Sequence, residues 1–177
     1  MIKVKYKIEG VAPILFHNVN SMDLVKPKKF THAEWEESQE VFESRLYIEN
    51  DKLTLPPRMI VGMLKNAAQK SGIKQDGKRS TYAGIIRAVV FCLDSCVLDQ
   101  GLDEVVKHKE YVAIQKSKVL RVFPMLKKWS GVVEFTIDET QISLEVIDEL
   151  MLYGGSFIGF GDYRPQYGRF TATRIKK

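Results

Sequence analysis

From its first residues the chain alternates. Ile2, Val4, Tyr6 and Ile8 fall on one side, Lys3, Lys5 and Lys7 on the other, which is the period of a strand with one buried and one wetted face. This strand is expected within Ile2 to Phe16. The same alternation returns late in the chain, where Val133, Phe135 and Ile137 oppose Val132, Glu134, Thr136 and Asp138. Between these strands the period changes to that of a helix. After Pro56 and Pro57, whose missing N–H groups suit a first helical turn, Ile60, Met63, Leu64, Ala67 and Ala68 form a core-facing stripe. Ser71 and Gly72 stop it. A second stripe, Val146, Ile147, Leu150 and Met151, follows Thr140 as the expected cap and ends at Gly154 and Gly155. Ile85 to Leu98, rich in β-branched and apolar residues, predicts a buried strand whose first part has helical character as an alternative. A last strand is expected over Gly168 to Ile175.

The order strand, helix, strand, strand, helix, strand predicts an α+β fold with a ferredoxin-like split βαβ core. Two stretches stand outside it as insertions within a single domain covering 1–177: about 18–55 and about 99–127. In the first, Thr31 and Glu34 have capping-box spacing and start an acidic helix running to about Arg45. A short hairpin about Glu49, Asn50 and Asp51 follows. The second holds Glu110 to Pro124, read as a basic hairpin projecting from the domain.

Charge is unevenly spread. The net charge is +5, but Glu34, Glu36, Glu37, Glu40, Glu43, Glu49 and Asp51 face only Arg45 in their segment, so that segment is excluded as a phosphate-binding face. The phosphates are instead expected near Lys107, Lys109, Lys116, Lys118 and Arg121, and near Lys65, Lys70, Lys74, Lys78 and Arg79. Cys92 and Cys96 lie in an apolar run without neighbouring histidines and read as small core residues, not as a zinc site. No cofactor is expected. The charged alternation at the N-terminus fits neither a signal peptide nor a membrane span, which places the chain in the cytoplasm with no membrane partner.

The most informative stretch is Gly154 to Phe170. Gly154, Gly155, Gly159, Gly161 and Gly168 are interleaved with Tyr163, Tyr167 and Phe170 and with Arg164 and Arg169. Rings for stacking, guanidinium groups and approachable backbone are what exposed bases and phosphates require. Phe170, at the start of the last strand, is the ring most expected to be buried. The segment follows a helix and opens a strand, the reverse of a dinucleotide-binding fingerprint.

This stretch resembles the glycine-rich loop of the repeat-associated mysterious protein superfamily, the RRM-like backbone subunits and RNA-processing proteins of CRISPR systems. A second match is Leu55-Pro56-Pro57-Arg58-Met59-Ile60-Val61-Gly62-Met63-Leu64, similar to that family's strand-to-helix segment. Arg58 and Met59 stand where the family tends to have glycine and serines. The resemblance implies a protein that grips single-stranded RNA or DNA, with RNA expected, and that assembles with copies of itself or with other effector subunits. The binding residues it and the charge pattern select are Arg58, Lys65, Lys116, Lys118, Arg121, Gly159, Gly161, Tyr163, Arg164, Tyr167 and Arg169. Gly159 and Gly161 are expected to let the backbone approach its ligand.

An RNA endonuclease on the same fold is the alternative. Processing members of the resembled superfamily use a histidine as general base, which selects His17 among His17, His32 and His108; cleaving backbone subunits place an aspartate after strand one, which selects Asp23. A third reading is an assembly protein of a phage or mobile element whose tyrosine-rich loop packs on a neighbouring subunit. No metal site is read from the residues themselves.

Overall fold

A computed structural model describes residues 1–114 and 117–176 of the chain. It is a mixed α+β molecule with antiparallel sheets. In chain order the strands and helices are β1 (Ile2–Gly10), β2 (Ile14–Leu15), α1 (His32–Glu37), α2 (Gln39–Ser44), β3 (Ile48–Glu49), β4 (Lys52–Leu55), α3 (Pro57–Lys70), α4 (Ile86–Val89), β5 (Val90–Phe91), β6 (Cys96–Val97), β7 (Val106–Ile114), β8 (Ser117–Leu126), β9 (Ser130–Ile137), α5 (Leu144–Tyr153) and β10 (Phe170–Arg174). The central sheet has the order β10-β1-β9-β5, and each neighbouring pair is antiparallel.

The alternation explains which face is covered. Val4, Tyr6 and Ile8 of β1 and Val133, Phe135 and Ile137 of β9 are buried. α3 contributes Ile60, Met63, Leu64, Ala67 and Ala68 to the same core, and α5 adds Ile147, Leu150 and Met151. The outer face is polar: Lys3 and Lys5 both reach Glu134, at 2.5 and 2.6 Å. Among the described residues, the outward positions of β1, β9 and β10 carry no aromatic ring. Bases therefore have no stacking platform across the middle of this sheet.

A second sheet, β2-β8-β7, is built on the long hairpin of β7 and β8, and a third, β3-β4-β6, is short. The capping box at Thr31 forms as expected, with Thr31 accepting from the Glu34 N–H and Glu34 accepting from the Thr31 N–H. The acidic helix does not run unbroken to Arg45. Ser38 adopts an extended conformation and caps α2 by accepting from Val41, so the segment folds as two short helices. The turn at Asn50 and Asp51 has positive φ at both residues, 50° and 59°, which closes the β3–β4 hairpin.

Three further expectations are corrected. Ile85 to Leu98 is mostly not a strand: its first part takes the helical alternative, with Ile86 and Val89 buried from one turn, after which Val90 and Phe91 join the central sheet, Cys96 and Val97 pair with β4, and Leu98 bridges Gly131 of β9. A continuous apolar run does not distinguish these outcomes by period. The cap of α5 is Ser143, which accepts from Val146, while Thr140 donates to Asp138. Gly154 does not end the helical path, which continues as a π turn over Gly154–Ile158; a Cβ at Gly154 would lie 2.0 Å from the Met63 sulfur, so this glycine lets α5 approach α3. Both cysteines are free, Cys96 buried and Cys92 partly so, and burial pushes their thiols up, Cys92 to about 11 and Cys96 to about 12. Among the described residues no helix is long and apolar enough to cross a membrane.

Candidate functional site

The glycine-rich segment is stitched to the start of the chain. Phe160 and Gly168 pair across its neck, Gly168 donates to Pro13, and Asp162 donates to the Leu15 carbonyl. Phe160 and Phe170 stack with centroids 4.6 Å apart, and the Trp129 ring meets both edge-on. Phe170 is buried, as expected from its place at the strand start. The apolar half of the segment thus anchors in the core, which leaves residues 162–167 presented outward.

Its glycines serve the chain's own backbone. Gly159, Gly161 and Gly168 have φ of 77°, 77° and 74°, a region that favours glycine. A Cβ at Gly161 would sit 2.3 Å from the Leu15 oxygen. The close approach expected here with a ligand is made with β2.

Three contiguous clefts run beside this loop. The first, about 340 Å³, is bounded by Asn66 and Lys70 of α3 and by Phe157, Tyr163 and Arg164. The second, about 310 Å³, extends along α3 past Gly62 to Arg58, with Tyr47 and Val19 on its other side. Asn66 and Arg164 border both. A smaller recess of about 130 Å³ lies between His17, Tyr47, Met59, Gly161 and Asp162. Together they form a groove between one face of α3 and the glycine loop. The helix supplies that face through spacing, since Arg58, Gly62, Asn66 and Lys70 recur every four residues.

The groove carries rings and cations. Phe157 is 61 % exposed, Tyr163 rests edge-on against Phe123, and the Arg58 guanidinium lies 5.7 Å from the centre of the Tyr47 ring. Among the described residues Arg58, Lys70 and Arg164 make no ion pair. Its one carboxylate is already engaged: His17 Nδ1 lies 3.0 Å from Asp162 Oδ2. This hydrogen bond holds the Asp162 carboxyl below its ordinary pKa, with the Tyr163 N–H assisting against burial. Tyr47 donates to the His17 backbone carbonyl, and the imidazole itself meets the Phe123 ring edge-on.

No protein-family model and no curated protein matches this chain.

The expected site residues separate into those the groove gathers and those it does not. Arg58, Gly161, Tyr163, Arg164 and His17 border it. Lys65 lies on the adjoining strip of α3, one turn after Val61, without lining the clefts. Tyr167 turns to the hairpin, its hydroxyl 3.3 Å from His108 Nε2. Arg169 is exposed beside β1, and its carbonyl accepts from Val11 and Ala12. Asp23 closes an exposed 3-10 turn, Val19–Met22, and does not border the groove. Among the described residues no three His, Cys, Asp or Glu side chains gather to hold a metal.

The basic hairpin forms, but its charges meet the acidic helices. Lys116 lies outside the described residues. Lys118 is exposed opposite Ala113. Arg121 donates to Glu36 at 2.8 Å, Lys109 pairs with Glu37 at 2.7 Å, and Lys107 donates to the Glu37 carbonyl. Glu36 is buried, and Arg45 grips it with two nitrogens while also donating to the Val122 carbonyl. Burial pushes the Glu36 carboxyl up, but Arg45, the Val122 N–H and Arg121 outweigh it, so its pKa lies below the usual carboxylate value. Arg121 is partly exposed, but its guanidinium is engaged by the buried Glu36 carboxylate.

Sequence reasoning missed Asp162, Asn66, Gly62, Tyr47 and Phe157. The four-residue recurrence from Arg58 through Gly62 and Asn66 to Lys70 was the available signal for the helix face. Nothing local announced the pairing of His17 with Asp162, which are far apart in the chain and meet only because Asp162 bonds to Leu15.

Proposed function

We propose that the chain binds single-stranded nucleic acid, with RNA the expected ligand, in the groove between α3 and the glycine loop. The observation that carries this reading is three cations, Arg58, Lys70 and Arg164, that make no ion pair among the described residues, beside the exposed rings of Phe157 and Tyr163. Cations along a groove track a backbone, and accessible rings stack bases that a duplex keeps inside. The core is read as ferredoxin-like: helices α3 and α5 separate the strands as β1, α3, β5, β9, α5, β10, and the antiparallel order β10-β1-β9-β5 fits that arrangement. Similarity to the RNA-gripping backbone subunits named above supports the same reading and adds self-association as an expectation.

The test is a comparison of RNA, single-stranded DNA and duplex DNA at equal salt, with size-exclusion of the free and bound protein. Single strands should bind more tightly than duplex. Equal affinity for all three would overturn the reading.

The His17–Asp162 pair favours a second reading, RNA cleavage. With Nδ1–H held by Asp162, Nε2 is free to take the proton of a ribose 2′-hydroxyl, whose oxygen attacks the adjacent phosphate while the 5′-oxygen leaves with a proton from water. Incubating bound RNA with the parent, His17→Ala and Asp23→Ala, with and without magnesium, tests it. Cleavage abolished only by His17→Ala would establish this reading; intact RNA throughout would remove it.

A further inference from the structure

α3 contains a glycine that the fold does not need. Gly62 is the sixth residue of a helix running from Pro57 to Lys70, and a Cβ built on it meets nothing within 4 Å. Its φ is not among the positive ones, which belong to Gly72, Gly77, Gly159, Gly161 and Gly168. A glycine inside a helix is less favourable than alanine because it gives up more backbone freedom on folding. Gly154, in the π turn that continues α5, offsets that cost through close packing, with a built Cβ 2.0 Å from the Met63 sulfur. Gly62 makes no such contact. What it faces is the cleft of about 310 Å³, where the missing side chain leaves helix backbone bare between Arg58, four residues before, and Asn66, four residues after.

We propose that this bare patch is the seat of one unpaired nucleotide, its base lying flat against α3 at Gly62 and its edge read by Asn66. The inference rests on the binding reading above and specifies where a base is held. Asn66 is the one amide side chain among the residues bordering the three clefts. Its carbonyl accepts and its NH₂ donates twice, which matches the mixed donor and acceptor edge of a base, whereas a phosphate would use the donors alone. Arg58 and Arg164 flank the seat and supply positive charge to the phosphates on either side. Any Cβ at position 62 stands between the base and the helix, so even a methyl group lifts the ring off its support.

The design separates this role from a structural one, because the two give opposite signs. Gly62→Ala should raise the unfolding midpoint by about 2 °C, since it adds a helix former in open space. Binding should move the other way. The probes are a short mixed-sequence single-stranded RNA and a strand of equal length made of abasic ribose phosphates. The parent should prefer the base-bearing strand. Gly62→Ala, Gly62→Leu and Asn66→Ala should lose most of that preference while keeping the parent's affinity for the abasic strand. If the folded Gly62 variants bind the base-bearing strand as the parent does, the seat is wrong and the groove reading stands. If the parent binds neither strand, both fall together.

Discussion

The hairpin of β7 and β8 and the groove along α3 are both basic in sequence, and the fold treats them oppositely. On the hairpin, Arg121 and Lys109 find Glu36 and Glu37, and Lys107 finds the Glu37 carbonyl. In the groove, Arg58, Lys70 and Arg164 are left without carboxylate partners among the described residues, and the one acid there, Asp162, is held by His17. A cluster of lysines and arginines in a sequence is therefore not yet a polyanion site. What matters is whether the fold brings an acidic segment onto it, and here the acids of α1 land on the hairpin cluster.

The largest effect expected from this contrast is on stability. Glu36→Ala leaves Arg45 buried without its partner and should cost about 3–5 kcal/mol in urea unfolding, whereas Glu37→Ala breaks an exposed pair and should cost less than about 1 kcal/mol. Similar losses for the two would mean that Glu36 is not the keystone that fixes the acidic helices to the hairpin.

Gly161→Val should come next. A valine would be forced to a positive φ and its Cβ driven against the Leu15 oxygen, at a cost of about 2–3 kcal/mol. Thermal unfolding beside RNA affinity separates the two roles: a lowered midpoint is expected whether or not RNA is present. A variant as stable as the parent would show that the loop is not clamped to β2.

A smaller effect follows from pH. The Glu36 and Asp162 carboxyls have folded pKa values below their ordinary ones, so the folded state binds fewer protons than the unfolded chain in this range. Their contribution is fully present above the unfolded carboxylate value of about 4.3 and is lost as pH falls through the lower folded values. Urea midpoints should be level near neutral pH and fall as the solution is acidified below that value, with a shallower fall in Glu36→Gln. An equal slope in parent and variant would remove Glu36 from the account.

How much of this was legible in the sequence follows from the range of each interaction. The stripe of α3 and the alternation of β1 and β9 were readable because periodicity encodes which face is buried, and the five expected core residues of α3 are those buried. The short β5 was not, and the turn α4 was legible only as one of two alternatives, since an apolar run satisfies a helix or a strand equally. The groove was half legible. Arg58 was selected by the family resemblance, and Tyr163 and Arg164 by the interleaving of rings and arginines with glycines, but Asp162 and the neutral residues Gly62 and Asn66 acquire meaning only once the loop and helix face each other. The hairpin charges were legible as charges, yet their partners lay about eighty residues away in the chain.

The contrast itself is tested most directly by the salt dependence of binding to a single-stranded RNA for two double charge reversals. Arg58→Glu with Arg164→Glu should lower affinity by roughly tenfold or more and flatten the slope by about one to two phosphate contacts. Lys107→Glu with Lys109→Glu should leave affinity and slope close to those of the parent. If the hairpin pair loses affinity and slope while the groove pair keeps both, the nucleic acid lies along the hairpin and the groove assignment is wrong.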